Sequence, residues 1–84
     1  MLTRYSIHAK DQLKERELSR ELVDQILLKP MQVLMGKKGR KIAQSIVKFE
    51  QIDFLVRVVY IERSDHYKVI TVYKTSKIMK YWRK

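Results

Sequence analysis

Arg57 interrupts an otherwise apolar run, Phe54-Leu55-Val56-Arg57-Val58-Val59-Tyr60-Ile61. A guanidinium in the middle of a sheet must reach solvent, a carboxylate or a phosphate, because an unpaired charge is too costly to bury. It either pairs with Glu15, Glu17 or another acid, or meets a phosphate. Its facing neighbours are expected to be Val72, diagonally, and Lys74 further along, which makes that face electropositive. A second grouping is His8, Ala9, Gln12, Leu13 and Arg16. Their spacing of i, i+1, i+4, i+5 and i+8 puts them on one side of a helix. His8 and Arg16 there read either as groups that close the helix ends or as proton-handling and phosphate-binding groups.

The stretch from Tyr73 to Lys84 interleaves Tyr73, Tyr81 and Trp82 with Lys74, Lys77, Lys80 and Arg83. Rings and cations in alternation suit bases that stack while phosphates meet ammonium groups. The plainer use is that Tyr81 and Trp82 anchor the segment on the core. Lys37, Lys38, Arg40 and Lys41 form another basic cluster, suited to phosphate contacts that carry no sequence information. Other chemistries are poorly supplied. The two histidines are far apart, no carboxylates stand at metal-ligand spacing, and Cys is absent, so no metal or cofactor is expected. Gly36 and Gly39 make no nucleotide-binding loop.

The chain has 84 residues, 19 of them Lys or Arg and 9 Asp or Glu, for a formal charge of +10. That length allows one domain spanning 1–84. The charge is unevenly placed: residues 1–35 hold 6 basic and 5 acidic side chains, residues 36–84 hold 13 and 4. An excess of +9 in one half is the footprint of a polyanion or an acidic protein partner. No apolar run is long enough to cross a bilayer, and the first residues lack the apolar core of a signal peptide, so a cytoplasmic location is expected.

The groups named above must be held by elements that the periodicity predicts. Ser6 caps a helix running to about Arg16. Ser19 caps a second, with Leu18 and Val23 as a hydrophobic staple and Leu22, Val23, Ile26 and Leu27 as its apolar stripe, ended at Pro30. Strands follow at Gln32–Met35, Lys41–Phe49, Phe54–Glu62 and Tyr67–Thr75. Pairing of the last two is expected to set Val58 opposite Thr71 and Val59 opposite Ile70. Ser76 would cap a short final helix. The expected fold is thus α+β: an αα-hairpin on a four-stranded antiparallel sheet, with a short C-terminal helix or tail. The central hairpin is apolar on both faces and the helices cover one. The C-terminal segment, a second copy in a homodimer, or a partner chain must then cover part of the other.

The opening His8-Ala9, Gln12-Leu13 and Glu15-Arg16, the second capped helix and Lys29-Pro30 resemble a large family of small uncharacterised bacterial and archaeal domains. Leu55–Tyr60 and Val69-Ile70-Thr71-Val72-Tyr73 resemble that family's paired strands. The family is similar in layout to the RelE/ParE toxin superfamily, including BrnT-like toxins. Arg57-Val58-Val59-Tyr60 resembles the Arg-Leu-Val-Tyr strand of RelE, where the Arg belongs to the active site. Carried over without gaps, a second active-site Arg falls on Lys77 and an essential late Tyr near Tyr81. The early-strand lysines of RelE would correspond to Lys41 or Lys48. Glu62-Arg63-Ser64-Asp65, with Lys74-Thr75 later, is closer to BrnT.

The resemblance implies a toxin of a toxin–antitoxin pair, acting as a metal-independent endoribonuclease on mRNA at the ribosome. Arg57, Lys74 and Lys77 would meet the phosphate, Tyr73, Tyr81 or His8 would handle protons, and Arg16 would assist. An acidic or DNA-binding antitoxin would cover the exposed sheet face, forming a hetero-oligomer. Two other readings stay open: a module that binds nucleic acid without cutting it, and a ParE-like inhibitor of DNA gyrase.

Overall fold

The computed structural model describes residues 2–84. Strand β1 is Leu2–Tyr5, helix α1 Ile7–Glu15 and helix α2 Arg20–Leu28. Strand β2 is Gln32–Met35, followed by a single 3₁₀ turn at Lys37–Gly39. Strands β3 (Lys41–Phe49), β4 (Ile52–Glu62) and β5 (His66–Thr75) form a meander, and α3 (Ile78–Tyr81) is one helical turn. Both long helices begin where a serine can accept an otherwise orphaned amide. Ser6 Oγ accepts from Ala9 N at 3.0 Å, and Ser19 Oγ from Leu22 N at 3.1 Å. Each such cap stabilises its helix by about 1 kcal/mol.

The sheet corrects the expected fold. It has five strands, in the order β1-β5-β4-β3-β2, and is mixed: β1 runs parallel to β5, while the other three pairs are antiparallel. The fifth strand was illegible because Leu-Thr-Arg-Tyr is too short to show a period, and its partner lies more than sixty residues away. A parallel partner also requires a crossover. Here α1, α2 and the antiparallel strands all intervene before the chain returns beside β1.

The register of β4 on β5 is the second correction. The expected pairing holds only at one end, where Tyr60 faces Val69 and Ile61 faces Lys68. A β-bulge then intervenes, and beyond it Val59 faces Thr71, Val58 faces Val72 and Arg57 faces Tyr73. Ile70 is the extra residue. Its carbonyl accepts from Ser6 Oγ at 3.1 Å, and Val72 N donates to Gln12 Oε1 at 2.8 Å. Two side chains of the α1 region thus take up backbone groups of β5 beyond the end of β1. The bulge also swaps the faces of β5, as one extra residue must. Val69 and Val72, three apart, both join the core under the helices.

That core packs Ala9, Leu13, Val23, Ile26 and Leu27 from the helices against Ala43, Val56, Val58 and Tyr60 from the sheet. Fully burying each of the larger aliphatic side chains contributes about 1.5–3 kcal/mol. The opposite face is covered at its centre by the C-terminal segment, whose α3 turn packs on the sheet, so that of the helix or tail expected there it is not a tail. Tyr81 O accepts from Gln44 Nε2 at 3.2 Å, and the Gln32 amide bonds both the backbone N–H and the carbonyl of Arg83. Ser76 does not cap α3. The residue before the helix is Lys77, with no side-chain cap bond.

A candidate phosphate site around Arg57

β4 delivers Arg57 to the sheet face away from the helices, where the side chain is 8% exposed. No ion pair to Arg57 occurs among the described residues; its partners are neutral. Nε donates to Gln44 Oε1 at 2.9 Å, and Nη1 donates to the Tyr73 hydroxyl oxygen at 2.6 Å. Gln44, on β3 directly opposite Arg57, is fully buried and is itself tied to Gln32 Oε1 at 2.7 Å. The Tyr81 ring closes the site, with the guanidinium carbon 4.3 Å from its centroid. Lys80 Nζ lies 5.4 Å from the same centroid, and Tyr73 and Tyr81 meet edge to face at 6.4 Å.

Among the described residues Nη2 has no hydrogen-bond partner, and no side-chain nitrogen or oxygen is both buried and unbonded. Solvent therefore reaches that one edge of the guanidinium. The arrangement is a cation held rigidly by an amide and a phenol, screened by a ring, with one donor edge left for an anion. Because Tyr73 Oη accepts from Arg57, its own proton is free to be donated. That is the chemistry of an oxyanion-stabilising centre with an adjacent hydroxyl donor.

The remaining candidate groups are distributed over the molecule. Lys77 and Lys80 flank or lie in α3, on the side of Arg57, and Trp82 and Arg83 follow it. Lys74 does not join them. It faces Val56, on the helix side of the sheet, and its ammonium sits 4.4 Å from the Phe49 ring centroid and 5.3 Å from that of Phe54. The expected trio of Arg57, Lys74 and Lys77 on one phosphate is therefore split, because neighbouring strand residues point to opposite faces. His8 and Arg16 are exposed on α1, which packs on β5 and β1 across the sheet from Arg57. Of their stripe, Ala9, Gln12 and Leu13 are buried, and Gln12 is committed to Val72.

Lys37 and Lys38 are exposed on the turn between β2 and β3, beside a half-buried Arg40. Lys41 departs from that cluster. It pairs with Glu62 at 2.9 Å, and this hydrogen bond and charge hold its ammonium above the ordinary lysine range. Lys48 pairs with Asp53 at 3.1 Å on an exposed edge. No three His, Cys, Asp or Glu converge among the described residues.

The sequence reading passed over Gln44 and Gln32. The available signal was an amide in mid-strand between Ile42 and Ile46, opposite a buried arginine. It also passed over Tyr5, whose hydroxyl donates to Asp24 Oδ1 at 2.6 Å under the Arg20 guanidinium.

No curated protein and no solved structure matches the chain. One family model does, and it spans residues 5–74, from the end of β1 through β5, taking in Gln44, Arg57 and Tyr73 and stopping short of α3. The chain therefore belongs to the family described as Domain of unknown function (DUF4258).

Proposed function

We propose that this protein is a toxin of a toxin–antitoxin pair that binds mRNA across the Arg57 face and cleaves it without a metal ion. The observation that carries the reading is Arg57 itself, a buried guanidinium with no carboxylate partner among the described residues and one donor edge open to solvent. Such a group has its desolvation offset most fully when an anion is bound. A phosphodiester is the anion that fits a guanidinium set between tyrosine rings, with a basic rim of Lys77 and Lys80 at α3.

The reaction is attack of a ribose 2′-hydroxyl on the adjacent phosphorus. The new P–O2′ bond forms as the P–O5′ bond breaks, leaving a 2′,3′-cyclic phosphate and a 5′-hydroxyl. Arg57 Nη2 holds the non-bridging oxygens as charge gathers on them. The Tyr73 hydroxyl, oriented by Arg57, donates its proton to the departing O5′. The 2′ proton passes to solvent water at the open edge of the site, and Tyr81 serves by holding the guanidinium with its ring. Lys74, His8 and Arg16 take no part in this version. The antitoxin is an acidic chain that covers α3 and the basic rim.

A second reading, binding without cleavage, has its own support. Nε and Nη1 of Arg57 are both committed to protein partners, and neither histidine nor carboxylate bonds to it. One experiment separates the two. Purified protein is incubated with mRNA in EDTA, with and without ribosomes, beside Arg57→Ala. The proposal expects cyclic-phosphate ends that vanish in the variant while most RNA affinity stays. Intact RNA under every condition, with expression harmless to growth, overturns the enzyme reading.

A further inference from the structure

We infer that the edge of the sheet at β1 carries a second phosphate-binding cleft, which takes the backbone of a single-stranded nucleic acid apart from the Arg57 site. The cleft has a volume of about 490 Å³. Five of the residues lining it carry basic side chains: Arg4 on β1, Lys10 on α1, Arg20 at the start of α2, and His66 and Lys68 on β5. Among the described residues no carboxylate lines it. Two acids touch the lining, Asp24 accepting from Tyr5 and Asp65 bonded to His66 at 2.7 Å, which leaves Arg4, Lys10, Arg20 and Lys68 without an ion pair among the described residues. Arg4 and Lys68 are register partners on the parallel β1–β5 pair. Like charges set side by side on neighbouring strands destabilise a sheet. A polyanion lying between them reverses the sign of that interaction.

Chemistry favours a single strand, because the lining sets cations beside a ring that an unpaired base can meet. The half-buried His66 imidazole is the ring beside the cations, while Tyr5 is buried beneath Arg20, which lies 4.5 Å from its centroid. The cleft is separate from Arg57. Lys10 and Arg20 come from the helix layer, Arg4 and Lys68 stand next to the core residues Tyr5 and Val69 and so reach the cleft from the other face at the sheet edge, and β5 stands between β1 and β4. Binding here holds whether the Arg57 face cuts RNA or only grips it.

The test is fluorescence anisotropy with a labelled single strand of about 12 nucleotides, as RNA and as DNA, over a range of salt. Lys10→Glu and Lys68→Glu, both at exposed positions, are each expected to weaken binding about tenfold. Each should also flatten the salt dependence by about 0.7 in log–log slope. Lys10→Gln and Lys68→Gln should move affinity the same way by less, which guards against a folding defect in the charge reversals. Lys29→Glu changes net charge equally and should leave affinity within about twofold. Equal damage from Lys29→Glu, wild-type binding by the cleft variants, or no binding by the unmodified protein overturns the proposal.

Discussion

The Arg57 guanidinium carbon lies 4.3 Å from the centre of the Tyr81 ring, so a residue four from the end of the sequence forms the lid of a group in mid-sheet. The contact joins α3 to β4 and explains how a charge is tolerated at 8% exposure. A cation over an aromatic face gains about 1–2 kcal/mol when partly desolvated. Tyr81→Ala is expected to lower stability to urea by about that amount. It should also speed modification of Arg57 by phenylglyoxal, read by peptide mapping. An unchanged rate at Arg57 would mean that the ring does not cover it.

Gln44 gives a sharper handle. Gln44→Leu leaves Arg57 Nε without its acceptor in a buried place, and should cost about 1–3 kcal/mol in urea unfolding. Gln44→Glu instead supplies a carboxylate at the same position. It removes the Nε2 donor to Gln32 and Tyr81, at a cost of about 1–3 kcal/mol, while its charge occupies the guanidinium, so that RNA cleavage by the folded protein falls at least tenfold. Full cleavage by the Gln44→Glu protein would remove Arg57 from the reaction.

The β3–β4 hairpin carries strain that can be relieved. Its two turn residues, Glu50 and Gln51, have φ of 49° and 75°, the left-handed region that suits Asn and Gly. Glu50→Asn with Gln51→Gly is expected to stabilise the protein by about 1 kcal/mol. For a chain of this size that raises Tm by about 4–8 °C, measurable by calorimetry. No gain in Tm would show that the turn is held by contacts of the native side chains.

Alkaline pH should act through Tyr5. Burial is the first cause that raises its hydroxyl above the ordinary value of about 10, and the hydrogen bond to Asp24 adds to it. The folded state then keeps a proton that the unfolded chain releases. The stabilisation is complete below pH 10 and is lost as pH climbs above it. Burial raises Tyr60 in the same direction. Between pH 8 and pH 11, urea unfolding should show a smaller loss of stability for Tyr5→Phe than for wild type. Equal losses would mean that the Tyr5 proton is not linked to folding.

Both long helices were legible because their signals are local. Ser6 and Ser19 sit next to the amides they cap, and the stripe from Leu22 to Leu27 lies within two turns of helix. The antiparallel meander was legible for a similar reason: its strands are consecutive, and alternation marks each one. Arg57 could also be singled out, since a lone cation in a run of seven apolar residues is visible without coordinates.

What the residues alone determined, then, is which segments from α1 through β5 are helix or strand, that Arg57 must reach solvent, a carboxylate or a phosphate, and that the positive charge is concentrated after residue 35. Tertiary structure decided the partners. β1 finds β5 across more than sixty residues, and the Ile70 bulge moves Tyr73 opposite Arg57 while sending Lys74 to the other face. The cleft of Arg4, Lys10, Arg20, His66 and Lys68 draws on four elements, three of them in a half whose net charge is only +1. The physical reason is one of range. Capping and periodicity act over a few residues, whereas register, bulges and charge convergence depend on which distant backbones share hydrogen bonds.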